Sequence, residues 1–109
     1  MTTITVLDDS SGQHTGIKIE GHAGAGVKGT DIVCAGISML AITTVNAIET
    51  YAAEKGSYEE IADPEGAEIS LLLKKPNHDT QLLIDSMLLG VKWMAEEYPE
   101  QVRLNVKEV

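Results

Sequence analysis

From Ile32 to Ile48 the chain runs for seventeen residues without a charged side chain, and this stretch limits the possible folds more than any other feature. Ser38, Thr43, Thr44 and Asn46 interrupt it, and it falls short of the ~20 apolar residues a membrane-spanning helix needs, so the reading is a soluble helix. Within and just beyond it Val33, Ile37, Leu40, Ile48 and Tyr51 recur at helical spacing, while Ile32, Met39, Ile42 and Val45 occupy the other faces. A helix apolar around so much of its circumference must be covered on more than one side. A sheet is expected on one side and a second helix or a partner subunit on the other. Thr30 and Asp31 suit its start, and Lys55-Gly56 suits its end.

The flanking segments supply the sheet. Ile4 and Val6 alternate with Thr3 and Thr5, Asp8 to Gly12 breaks the pattern, and Ile17 and Ile19 resume it, which predicts a hairpin. Residues 57–62 and 67–73 flank Asp63-Pro-Glu-Gly66, a second hairpin turn. Pro76-Asn-His-Asp79 opens a second helix with Leu83, Met87, Val91 and Met94 on one stripe, Met87, Trp93 and Met94 read as core, and Pro99 lies just past its end. Val102, Leu104 and Val106 alternate as a closing strand. The predicted order is strand, strand, helix, strand, strand, helix, strand. Two helices for five strands fit one α+β domain over residues 1–109, a single sheet with both helices packed on one face.

At 109 residues such a domain buries roughly two-thirds of its unfolded surface and needs neither disulfide nor structural metal. Cys34 is the only cysteine, which excludes an intrachain disulfide framework or thiolate zinc cluster and favours a reducing compartment. The start, Met1-Thr-Thr-Ile-Thr-Val6, has no basic leader and no long apolar core, so a cytoplasmic location is expected. Eight Lys plus Arg against seventeen Asp plus Glu give a net charge of -9, which argues against direct nucleic-acid binding and in favour of a basic partner. No metal or cofactor is expected: the spacings of His14, His78, Asp31 and Cys34 match no ligand motif, and Gly24-Ala-Gly26-Val-Lys-Gly29 matches a dinucleotide fingerprint only formally, because a hairpin follows it.

Cys34 is predicted at the beginning of the first helix, where unpaired N–H groups and the helix dipole favour a thiolate. A nearby imidazolium would lower its pKa further, from ~8.5 towards roughly 3.5 to 7.5. The alternative is a small buried side chain. His22 ends the second strand and stands just before the glycine-rich segment that leads to the cysteine, so the two can meet as nucleophile and base. Asp31 has two open roles, capping the helix or orienting His22, and Ser38 lies one turn beyond Cys34. Residues 21 to 29 hold four glycines. Ala23, Gly24, Ala25, Gly26, Val27, Lys28 and Gly29 are therefore expected to form a lid that orders on substrate, since few large side chains repay the entropy of fixing it.

The string Gly21-His22-Ala23, then Gly29, Asp31-Ile-Val-Cys34-Ala35 and Ser38 resembles the signature of the ribosomal-processing cysteine protease family Prp. The resemblance extends over nearly the whole chain in length and element order. It implies a catalytic dyad of His22 and Cys34, with Gly21, Asp31 and Ser38 supporting. It also implies an endopeptidase that removes the basic N-terminal extension of bacterial large-subunit ribosomal protein twenty-seven during ribosome assembly, acting as a homodimer without cofactor. The competing class is a noncatalytic module that grips a peptide or an anion with the glycine-rich segment.

Overall fold

The computed structural model describes residues 2–21, 30–52, 58–62 and 68–109, with the backbone alone at 30, 31, 34, 58–62, 68 and 69. Seven regular elements follow the predicted order: β1 (Thr2–Asp8), β2 (His14–Glu20), α1 (Thr30–Ala47), β3 (Tyr58–Ala62), β4 (Glu68–Leu73), α2 (His78–Glu97) and β5 (Val102–Glu108). The strands form one sheet in the order β3-β4-β2-β1-β5. Its pairings are antiparallel except that β5 runs parallel to β1.

The period-two pattern decides which face is covered. Ile4 and Val6 pair with Ile19 and Ile17 across the first hairpin, and all four are buried. Leu71, Leu73 and Val102 extend the same layer, whereas Thr3, Thr5 and Lys18 on the other face are half-buried. Both helices lie on the buried face. Val33, Ile37, Ala41, Val45 and Ile48 from the first helical segment meet Ile84, Met87, Leu88 and Val91 of α2 in one core with the sheet. The first hairpin turns on Asp9, whose Oδ1 accepts from Ser11 N–H, Ser11 Oγ–H and Gln13 N–H, with Gly12 at φ 83° in the left-handed region.

Three expectations need correction. The first helix does not keep α geometry beyond Ala47: Ile48–Ala52 form a π-turn, and the end expected at Lys55-Gly56 lies outside the described residues. The wider i→i+5 turn rotates the following residues, so Ile48 is fully buried while Tyr51, expected on the same stripe, is 79% exposed. Trp93 is not core but 56% exposed, because the buried arc of α2 is centred on Ile84 and Val91. Burial also fades along edge strand β5, from Val102 at 3% exposed to Val106 at 65%, so only the beginning of its alternation is covered.

The demand for cover on several sides of α1 is met in part. The sheet and α2 bury Val33, Ile37 and Val45, whereas Ile32, Met39 and Ile42 stay exposed, as do Leu82 and Leu89 on α2.

Candidate active site

The strand that leads to the site ends at a defined place. Glu20 pairs with Thr3 of β1 and Glu68 of β4, and Gly21 then takes φ 81°, a backbone conformation that L side chains rarely adopt. Gly21 therefore turns the chain out of the sheet immediately before His22 in sequence. His22 itself and the lid proposed for residues 23–29 lie outside the described residues.

α1 begins at Thr30, which puts Asp31 in its first turn and makes Cys34 its fifth residue. The cysteine is thus one residue further along than a strict first-turn position. Its own N–H falls within reach of the Thr30 carbonyl, and the unpaired donors of the helix start are those of residues 30–33. Position 34 stands at an edge of the buried arc: Val33 and Ile37 beside it are buried, Ser38 one turn on is half-buried, and Ala35 is exposed. Asp31, Cys34 and Ser38 share one side of the helix at i, i+3 and i+7. Beyond Asp31 the helix has no charged residue of its own, so the positive field at its start is not offset along its length.

The hollow between the helices is a separate feature. A groove of about 370 Å³, lined by Gly36, Met39, Leu40, Thr43, Ser86 and Met87, runs between α1 and α2. Residues two apart lie about 200° apart around a helix, so Gly36 and Cys34 occupy opposite sides of α1. The groove therefore lies on the side of α1 opposite position 34. Among the described residues no group of three or more His, Cys, Asp or Glu side chains is placed to hold a metal ion, and no helix is long and apolar enough to cross a membrane.

One polar cluster escaped the sequence reading. At the start of β2, His14 Nδ1 lies 2.6 Å from Asp8 Oδ1 and His14 Nε2 lies 2.7 Å from Asp85 Oδ1 of α2. The His14 backbone exchanges two further hydrogen bonds with the Gln81 side chain, both 2.7 Å. The hairpin break made the Asp8–His14 proximity readable; nothing in the sequence announced Asp85, which is 71 residues away.

A sequence model of the family described as Cysteine protease Prp matches residues 1–103. The ribosomal processing cysteine protease Prp of two Staphylococcus aureus strains is 34% identical to this chain over 108 residues, covering 98% of it and all of the relative. The crystal structure of the S. aureus protease in complex with a substrate peptide superposes with a TM-score of 0.87 at 33% identity, over 98% of this chain and all of that one. Its complex with a covalently linked product peptide gives the same TM-score at 34% identity, again over 98% and 100% of the two chains.

Proposed function

This chain belongs to the cysteine protease Prp family of ribosomal-processing peptidases, and on that premise we propose that Cys34 is its nucleophile and His22 its general base and acid. The observation that carries this reading is the place of Cys34, the only cysteine, near the start of a helix whose one charged residue is Asp31, one short segment after Gly21-His22.

In this mechanism His22 removes the proton from Cys34 Sγ, and the thiolate attacks the carbonyl carbon of the scissile peptide bond. Free N–H groups at the start of α1 stabilise the resulting oxyanion. The imidazolium then protonates the leaving amine, the C–N bond breaks, and a thioester remains on Cys34. Water, deprotonated by His22, hydrolyses that thioester and restores the thiol. Gly21 turns the strand end towards the site, Asp31 caps the helix or orients His22, and Ser38 lines the same side of α1.

The substrate proposed is the N-terminal extension of large-subunit ribosomal protein twenty-seven, a basic tail suited to a chain of charge -9, and the setting is the cytoplasm, where ribosomes assemble. The same charge weighs against direct nucleic-acid binding. We propose a homodimer, supported by the exposed apolar residues Ile32 and Met39 of α1 and Leu82, Leu89 and Trp93 of α2. Incubating the purified protein with the tail-bearing ribosomal protein and mapping the products by mass spectrometry tests activity and substrate together. A single cut that releases the extension is expected; an intact tail after prolonged incubation contradicts the assignment.

A further inference from the structure

We propose that His14 is a proton-operated latch, which tightens the hold of the N-terminal half of α2 on the β1–β2 hairpin while both its ring nitrogens carry hydrogen and loosens it when one proton leaves. The hydrogen-bonding geometry carries the inference. Each ring nitrogen lies at bonding distance from a carboxylate oxygen, Nδ1 from Asp8 at 2.6 Å and Nε2 from Asp85 at 2.7 Å. An ionised carboxylate only accepts, so both bonds require both N–H groups, which is the imidazolium. Neutral imidazole would leave a lone pair facing one of the two carboxylates.

Gln81 fixes the latch in place without regard to pH, since its amide oxygen accepts from His14 N–H and its Nε2–H donates to the His14 carbonyl. The ring is thereby held between β1 and α2. The elements around it carry further charges of both signs, among them Asp79, Glu96 and Glu97 of α2 and Arg103 and Lys107 of β5, where Lys107 pairs with Leu7. From β1 and its turn come Asp8 and Asp9, the latter engaged by Ser11 and Gln13. From β5 comes Glu108, the register partner of Asp8. On α2, besides Asp85, His78 and Lys92 stand seven residues to either side, two turns away; β2 itself contributes Lys18 and Glu20 at its far end. Burial of the ring opposes its charge, but hydrogen bonds and charges from Asp8 and Asp85 outweigh it and hold His14 above its usual value of 6.5.

The sign follows from linkage. A group whose pKa is raised in the closed state stabilises that state fully below its free value and loses the effect as pH rises through the closed-state value. Opening of α2 should therefore be pH-independent below 6.5 and become easier above it, by up to about tenfold per pH unit until His14 has titrated. The latch is remote in sequence from Cys34 and its test does not depend on peptidase activity.

Hydrogen exchange of the amides at residues 80–88, corrected for the intrinsic rate at each pH, reads the latch, and an NMR titration of the His14 ring gives its pKa in the same sample. The full chain and its Asp85→Asn variant are compared; Asp85 is 62% exposed, so the variant leaves the core untouched. We expect His14 to titrate above 6.5, protection at 80–88 to fall several-fold across that titration, and Asp85→Asn to lower the titration point and flatten the pH dependence. Corrected exchange that stays constant while His14 titrates, or the same pH dependence in Asp85→Asn, overturns the latch.

Discussion

Asn77 and Ala52 are joined by a 2.8 Å hydrogen bond in which the Nδ2–H of the residue that caps α2 donates to the last carbonyl of the π-turn. The same Asn77 side chain accepts from Thr80 N–H through Oδ1, and Thr80 Oγ1 accepts from Asn77 N–H in return, which completes a capping box. One side chain thus satisfies the start of one helix and a carbonyl of the π-turn that follows the other. Asn77→Ala removes both functions and should destabilise the fold by about 1 to 3 kcal/mol, the sum of a lost cap and a lost side-chain bond. Asn77→Asp keeps the cap acceptor and loses the donor to Ala52, so it should fall between wild type and Asn77→Ala in urea unfolding.

Two glycines make opposite predictions. A Cβ at Gly16 would lie 2.8 Å from the Leu71 carbonyl oxygen in the middle of the sheet, where the backbone of β4 cannot yield, so Gly16→Ala should destabilise by about 1 to 3 kcal/mol. At Gly36 the Cβ would meet, among the described residues, only the Met94 Cε at 3.3 Å, the far end of a flexible side chain. Gly36→Ala should be neutral or stabilising by up to about 1 kcal/mol through helix propensity. Thermal unfolding of the pair decides both.

The first hairpin turn should respond to acid. Hydrogen bonds from the Ser11 side chain and from the Gln13 and Ser11 backbone lower the Asp9 carboxyl below its ordinary 3.8. A lowered value means the bonded turn is favoured above 3.8 and lost as pH falls through the value in the fold. The Ser11 and Gln13 amide resonances should shift together with Asp9 below pH 3.8, and Asp9→Asn should abolish that shared titration.

Charge should appear in the kinetics. With a net charge of -9 and the basic tail proposed as substrate, kcat/KM for tail cleavage should fall as salt rises, while kcat stays nearly constant, because screening weakens encounter rather than chemistry. A kcat/KM that does not change between low and high salt would remove electrostatic steering from the account.

The elements that alternate or repeat cleanly were legible in the sequence: Ile4 and Val6 against Ile17 and Ile19, and the Asn77 start and Pro99 stop of α2. What was not legible arises where the local pattern is ambiguous or the partner is distant. Tyr51 matches the helical period, and only the π-turn after Ala47 swings it outward. Trp93 is apolar enough for a core, but its angle on α2 points away from the sheet. The parallel pairing of β5 with β1 and the Asp85–His14 bond join residues more than seventy positions apart, where no local periodicity can act. Of the residues proposed for the site, Cys34 was singled out by its chemistry and Gly21 by the family resemblance, and the helix start at Thr30 sets position 34 one residue beyond the first turn in which it was expected.

The central claim is that Cys34 is the nucleophile, and the most direct test is kcat/KM of Cys34→Ala on the tail-bearing ribosomal protein, beside wild type and His22→Ala. Loss of a nucleophile that forms the covalent intermediate should lower the rate by about 10³-fold or more, with circular dichroism and unfolding midpoint essentially retained. Cleavage by a folded Cys34→Ala variant within tenfold of wild type would contradict the account.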